Sequence, residues 1–102
     1  MRFLIVDDDF SKRRMIERAL QRIGYTVAQG HRIDHASDGA ECRALVLAAP
    51  PVDVIFMDGH LGTPETGPAI VRSLREQGCA AKIIMISSDA ALTREGMTAG
   101  AN

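Results

Sequence analysis

Short, mainly apolar runs that alternate with helix-like segments constrain the fold of this sequence most strongly. The three strongest runs are Phe3–Val6, Val52–Met57 and Lys82–Ile86. Runs of this length fit strands that are covered on both faces. Strands that alternate with helices at this spacing predict parallel βαβ units with right-handed crossovers. The sequence therefore predicts an α/β fold with an open parallel sheet.

The remaining segments complete a β-α-β-α-β-α-β-α order. A weaker strand is predicted at Arg32–Ala36. The predicted helices are Ser11–Ile23 with Ser11 as N-cap, Ala40 to about Ala49, a helix with Pro68 in its first turn that stops at Gly78, and Asp89 to about Ala99. Pro50 and Pro51 are predicted to stop the second helix, because proline cannot continue a helix.

Length and composition indicate one globular domain without membrane or nucleic-acid partners. The chain has 102 residues, 46% of them hydrophobic, and a net charge of −1. This charge gives no electrostatic attraction to nucleic acid or acidic lipid. No apolar run approaches the roughly 20 residues of a membrane span, and Phe3–Val6 is too short for a signal peptide. We therefore expect a cytoplasmic protein in which Cys42 and Cys79 are free thiols.

Acidic and hydroxyl residues follow the strong strands directly. Asp7 and Asp8 follow the first, Asp58 the Val52–Met57 strand, and Ser87 the Lys82–Ile86 strand. Ligands of open parallel sheets bind at the carboxyl ends of the strands, so we expect Asp7, Asp8 and Asp58 to converge. Clustered carboxylates need a cation or a raised pKa, and Mg²⁺ prefers oxygen ligands. A carboxylate beside such a metal can attack a phosphoryl donor, and Ser87 could hydrogen-bond the transferred group.

Other polar residues are interpreted as structural. Asp9 is expected to be a helix cap or a solvated turn residue, and the ring of His60 a surface loop residue. His31 and His35 lack metal-ligand spacing. A basic group is interpreted as a solvated helix face, with a partner-docking surface as the alternative. It comprises Lys12, Arg13, Arg14, Arg18 and Arg22.

The whole pattern resembles the receiver domain of two-component response regulators. The matching segments are Phe3 to Asp9, Asp38-Gly39, Val54 to Asp58, Leu61-Gly62, Ile83 to Ser88, and Ala99-Gly100-Ala101. The resemblance implies a flavodoxin-like sheet. It implies that Asp58 is the phosphoacceptor, Asp8 a direct Mg²⁺ ligand, Asp7 a ligand through water, His60 a ligand through its backbone carbonyl, and Ser87 the hydroxyl that follows the phosphoryl group. The implied donor is a phosphohistidine on a sensor histidine kinase or a histidine phosphotransfer protein.

The resemblance also implies segments that the 102 residues do not contain. The family continues after its Ala-Gly-Ala segment into a fifth strand, a Lys-Pro pair and a fifth helix. We therefore expect a single receiver-like domain over residues 1–102, with strand order 2-1-3-4 and without the last strand and helix. An open edge on Lys82–Ile86 and uncovered apolar surface beside Ser11–Ile23 predict either a homodimer or a fragment of a longer protein.

Two other functions fit parts of the pattern. A degenerate receiver would serve only as a protein–protein interaction or dimerisation module. A phosphatase of the haloacid-dehalogenase type would use Asp7 as nucleophile, since Asp7 to Ser11 reads Asp-x-Asp-x-Ser after an apolar strand, but that reading gives Asp58 no role. The receiver interpretation predicts a signalling domain rather than a turnover enzyme, with at most self-phosphorylation and self-dephosphorylation.

Overall fold

The computed structural model describes residues 1–48 and 51–102, in which strands and helices alternate as the sequence predicts. The strands are β1 (Arg2–Val6), β2 (Arg32–Ala36), β3 (Val54–Met57) and β4 (Lys82–Met85). The helices are α1 (Phe10–Arg22), α2 (Gly39–Leu47), α3 (Gly67–Glu76) and α4 (Ala90–Ala99), with a short 3-10 turn at Val27–Gln29.

All strand pairs of the sheet are parallel, in the order β2-β1-β3-β4. The register places Val6 opposite both Ala36 and Met57, and Met57 opposite Met85. The carboxyl ends of the strands therefore lie in one row. The predicted order 2-1-3-4, in which the Phe3–Val6 and Val52–Met57 strands are neighbours, is confirmed.

The two faces of the sheet carry separate apolar clusters. On one face, Leu4 and Val6 join Ile55, Met57 and Ile83 in a core that α2 and α3 cover. On the other face, the alternate residues Phe3, Ile5 and Val54 pack with Leu20 of α1. Alternation along β1 thus explains why a continuous apolar run is needed: each successive side chain enters a different core.

Several boundaries differ from the sequence-based expectation. Ser11 is not the N-cap of α1: Asp9 takes that role because its carboxylate accepts hydrogen bonds from the backbone N–H groups of Ser11 (2.8 Å) and Lys12 (3.4 Å). Asp9 is therefore the helix cap that one interpretation expected. The third strand starts at Val54 rather than Val52, and the fourth ends at Met85 rather than Ile86.

Other expectations agree with the observed elements. Thr66 caps α3, with proline in the first turn, and Gly78 follows the end of this helix with φ of +84°. The predicted end of the second helix at Ala49 and its stop at Pro50 lie outside the described residues. Cys42 is buried and Cys79 is half-buried, and both are free thiols. In the described part of the chain, we find no helix with the length and apolarity that crossing a bilayer requires.

Candidate functional site

The backbone places the two acidic segments side by side at the carboxyl edge of the sheet. The N–H of Asp58 donates to the carbonyl of Val6 (2.9 Å), and the N–H of Asp7 donates to the carbonyl of Ala36 (3.1 Å). Ladder hydrogen bonds thus continue for one residue beyond the strands. As a result, Asp7, Asp8 and Asp58 each offer a carboxylate oxygen, and these oxygens lie within 4.8 Å of one another. The predicted convergence of the three acids is confirmed.

Asp7 is the most deeply buried member of the acidic cluster, which consists of Asp7, Asp8 and Asp58. Its side chain is only 2% exposed, and burial raises the pKa of Asp7 from 3.8 to about 6. The hydrogen bond from the Asp9 N–H (2.9 Å) and the charge of Lys12 lower this pKa, whereas the charges of Asp58 and Asp8 raise it further. A buried carboxylate beside two others is costly when it is ionised. The cluster therefore favours either a proton or a cation.

The Asp58 carboxylate is oriented by its own neighbour. Its side chain is 8% exposed, and its Oδ1 accepts a hydrogen bond from the N–H of Gly59 (2.8 Å). Among the described residues, Oδ2 of Asp58 has no hydrogen-bond partner. One oxygen is thus fixed, and the other is available to a ligand or a reaction partner.

Ser87 lies against the residue that directly follows Asp58. A Cβ at Gly59 would lie 2.7 Å from the Ser87 Oγ, so only glycine leaves room for this contact. Oγ accepts a hydrogen bond from the Asp89 N–H (3.1 Å) at the start of α4. The structure therefore places Ser87 next to Gly59, the residue that follows Asp58.

Glycines in the β3–α3 loop (residues 58–66) and at the start of α3 contact the site. They were not identified as part of it from the sequence. Gly62 has φ of +69°, and a Cβ there would lie 2.9 Å from Oδ2 of Asp8. Gly67, the first residue of α3, lies so close to the carbonyl of Asp58 that a Cβ would overlap it. The available signal was the spacing of Gly59, Gly62 and Gly67 after the acidic strand. These glycines let the loop cross the site at close range.

The histidines stay outside the acidic cluster. The His60 side chain is 71% exposed, and its Nε2 lies 3.7 Å from Oδ2 of Asp89. His31 contacts the N-terminal amine, and His35 lies 3.4 Å from Glu17. The expectation that His60 is a loop residue with its ring at the surface is confirmed.

The basic helix face is exposed at Lys12, Arg14, Arg18 and Arg22, as its interpretation as a solvated face expects, and Arg13 is half-buried. Arg13 donates a hydrogen bond to the backbone carbonyl of Asp7. Lys12 lies in a groove of about 320 Å³ that Asp7 also lines. Helix α1 therefore supplies positive charge next to the acidic cluster.

The donor set of the cluster fits a magnesium ion. Three carboxylate oxygens from two adjacent strand ends lie close enough to share one ion, and oxygen donors at an open, partly hydrated site are what Mg²⁺ prefers. Burial, with the charges of Asp58 and Asp8, raises the pKa of Asp7 by more than the Asp9 N–H and Lys12 lower it, so the charge of an ionised Asp7 is only partly compensated. Asp8 is exposed, so the cluster is open to solvent at that residue.

Comparisons with known proteins agree with this geometry. The family model of the response regulator receiver domain matches residues 3–102. The chemotaxis protein CheY4 of Vibrio cholerae is 28% identical with a TM-score of 0.78, over 99% of this chain and 81% of that chain. A LuxR-family two-component response regulator from Aurantimonas sp. SI85-9A1 is 27% identical with a TM-score of 0.81, over 98% and 69% of the two chains.

A third structure supports the fold. The receiver domain of NtrX from Brucella abortus is 24% identical with a TM-score of 0.81, over 97% of this chain and 79% of that chain. No curated protein matches the sequence. With the family model matching nearly the whole chain and the acidic cluster at the expected edge, the chain belongs to the response regulator receiver domains and has a phosphoacceptor role in two-component signalling.

Proposed function

We propose that Asp58 is the residue that accepts the phosphoryl group, and that the transfer depends on Mg²⁺. The observation that carries this proposal is the position of the Asp58 carboxylate: it is nearly buried, it lies within 4.8 Å of two other carboxylates, and Gly59 holds one of its oxygens. Held in this way, the carboxylate can present its second oxygen in one fixed direction. Orientation of this kind is a large part of what a protein contributes to phosphoryl transfer.

Asp7, Asp8 and Asp58, with the backbone carbonyl of His60, are the proposed ligands of the ion. Bound Mg²⁺ would neutralise the cluster and polarise the phosphoryl oxygens. The negatively charged side chains of the cluster would hold the ion. Because Asp7 is buried, its ionised form is unfavourable when no ion is bound. Asp8, at the open side, is proposed to bind directly, and Asp7 through a water molecule.

The proposed donor is a phosphohistidine on a cytoplasmic sensor kinase or phosphotransfer protein. The free oxygen of Asp58 attacks phosphorus, the P–N bond to the imidazole breaks, and the leaving ring nitrogen takes up a proton from solvent. The product is an acyl phosphate on Asp58. Ser87, which lies against Gly59, is positioned to donate its hydroxyl proton to this new group. The chain acts in this scheme as a signalling module, with any self-phosphorylation or self-dephosphorylation secondary to transfer from the partner.

Labelling with acetyl phosphate in the presence of Mg²⁺, followed by intact mass measurement and borohydride trapping of the acyl phosphate, tests the proposal. The wild type should gain one phosphoryl group, and Asp58→Asn should gain none, because an amide oxygen is a poor nucleophile. Asp9→Asn is the matched control: it changes an aspartate of the same edge, and asparagine caps a helix as well as aspartate does.

The alternatives give different results in the same experiment. Label that persists in Asp58→Asn and disappears in Asp7→Asn would support the phosphatase interpretation. Absence of label in the wild type would support a module used only for protein contacts. Either result would contradict the proposed function.

A further inference from the structure

The end of the β3–α3 loop that precedes α3 is joined to helix α2 by a bidentate ion pair. Arg43 Nη1 donates to Glu65 Oε2 (2.9 Å), and Arg43 Nη2 donates to Glu65 Oε1 (3.1 Å). The two side chains are 29% and 35% exposed, so the pair is partly shielded from water. The hydrogen-bonded carboxylate of Glu65 raises the pKa of Arg43. Bidentate arginine–carboxylate pairs are the geometrically most specific ion pairs in proteins.

Helix α2 has a gap that admits the Glu65 carboxylate. A Cβ at Gly39 would lie 2.0 Å from Oε1 of Glu65, so the carboxylate lies directly on the backbone of this residue. Gly39 and Arg43 are four residues apart and share one face of α2. The first turn of a helix also favours a negative charge. Gly39 and Arg43 together therefore form a cradle for Glu65.

The same loop provides the contact that restrains Asp8. Among the described residues, the Asp8 carboxylate has no hydrogen-bond partner, and it is exposed. Gly62 lies against its Oδ2 with the close approach given above. Gly62 is three residues before Glu65, so the position of the loop over Asp8 depends on where Glu65 is held. Asp7 and Asp58, in contrast, are fixed by burial and by backbone hydrogen bonds.

We propose that Gly39, Arg43 and Glu65 form a latch that positions the β3–α3 loop and, through Gly62, orients the Asp8 carboxylate for cation binding. Arg43 and Glu65 are positioning residues: they contact neither the acceptor nor the acidic cluster. The latch deepens the proposed function and rests on it, because it acts on the proposed Mg²⁺ site.

Two variants break the latch in different ways. Glu65→Gln removes the charge that Arg43 binds. Gly39→Ala leaves both charges in place, but its methyl group displaces the Glu65 carboxylate, the flexible end of a long side chain. The same methyl group would lie 3.2 Å from Cδ1 of Ile70 in the core, so the urea midpoint of each variant is measured as well, and Mg²⁺ binding is compared where each variant is folded. Arg32→Gln is the charge-matched control for Arg43→Gln, since it removes an exposed arginine that pairs with the mainly buried Asp34 (3.0 Å) on β2.

The primary readouts are the Mg²⁺ dissociation constant, from NMR titration, and amide hydrogen exchange of residues 59–66 without Mg²⁺. We expect Glu65→Gln and Gly39→Ala to weaken Mg²⁺ binding about two- to fivefold, the range that a partly exposed ion pair can supply. Exchange in the loop should become faster in both. Arg43→Gln should have the same effect, and the Arg43→Gln/Glu65→Gln double variant should be no weaker than either single one.

The outcomes separate the latch from the proposed function. If the wild type binds Mg²⁺ and becomes labelled on Asp58, but the latch variants match it in Mg²⁺ affinity, the latch is overturned alone. Equal losses in Arg32→Gln and Arg43→Gln would also overturn it, since the effect would then follow from the removal of any arginine and not from the loop. If the wild type binds no Mg²⁺, or Asp58→Asn keeps the label, the proposed function itself fails.

Discussion

Strand β1 has a buried charged residue at its start and another directly after its end, and their surroundings differ. The first has hydrogen-bond acceptors of opposite or partial negative charge around it, whereas the second lies beside like charges. Arg2 and Asp7 are each 2% exposed. The Arg2 guanidinium donates to Asp34 and to the carbonyls of Ala48 and Leu45, each at 2.9 Å. Asp7 has two further carboxylates beside it instead, and its burial, together with their charges, raises its pKa to about 6. Equal burial is thus compensated by hydrogen bonds at one end and remains costly for an ionised carboxylate at the other.

The difference separates a structural end of the sheet from a reactive end. At the amino end, α2 turns its last carbonyls toward Arg2, where a positive charge also complements the helix dipole. At the carboxyl end, no cation among the described residues forms an ion pair with Asp7, Asp8 or Asp58, which is costly unless a ligand compensates. Buried charge without an ion-pair partner at one edge of a sheet is typical of a functional site.

The largest effect is expected from removing the buried cation. Arg2→Met keeps the aliphatic volume but removes a buried donor from Asp34, which keeps Arg32, and from the carbonyls of Ala48 and Leu45. We expect a loss of about 3 kcal/mol in the free energy of unfolding, the range for breaking a buried ion pair. Urea unfolding measures it as a lower midpoint at constant slope. Arg32→Met, which removes an exposed partner of the same aspartate, should cost less than about 1 kcal/mol. Equal losses in the two variants would contradict the contrast.

Removing the buried anion should have the opposite sign. The raised pKa means that the native state binds a proton to Asp7 more tightly than the unfolded chain does. Stability therefore falls as the pH rises from about 4 through about 6, and the penalty is complete above that. Asp7→Asn should be more stable than the wild type by about 2 to 3 kcal/mol at pH 8, and by close to nothing at pH 4, in Mg²⁺-free buffer. A destabilised Asp7→Asn at pH 8 would show that ionised Asp7 does not lower the stability of the folded state.

A smaller effect is expected at Asp9, which lies at the reactive edge but has a structural role. Asp9→Ala removes the cap of α1 and should lower the free energy of unfolding by about 1 kcal/mol, whereas Asp9→Asn should be close to neutral. Neither change should alter labelling on Asp58. Loss of labelling in Asp9→Asn would mean that the site extends to this residue.

The sequence predicted the topology and the acidic cluster because both follow from the apolar runs and the residues directly after them. Once Phe3–Val6 and Val52–Met57 were interpreted as adjacent parallel strands, the positions of Asp7 and Asp58 followed. The N-cap of α1 was misassigned to Ser11 because aspartate and serine are equally good caps. Only the backbone geometry decides which of them reaches the free N–H groups.

The loop contacts could not be predicted from local patterns. The pairing of Arg43 with Glu65 joins residues 22 positions apart, and nothing in the spacing indicates that Gly39 lies beneath that carboxylate. The same holds for Arg2, whose partners come from β2 and from the end of α2. Contacts of this kind depend on how elements pack, whereas strand ends depend on the sequence immediately around them.

The most direct test of the central contrast is a Mg²⁺ titration of stability at pH 8. If the three carboxylates form a cation site, Mg²⁺ binding stabilises the folded state and the free energy of unfolding should rise with Mg²⁺ concentration. The expected rise is about 2.7 kcal/mol when Mg²⁺ is at a hundredfold excess over its dissociation constant. Asp8→Ala should shift this rise to higher Mg²⁺ concentration, and Arg32→Met should not. A wild-type stability that does not change with Mg²⁺, or an unaltered rise in Asp8→Ala, would contradict a cation site formed by these carboxylates.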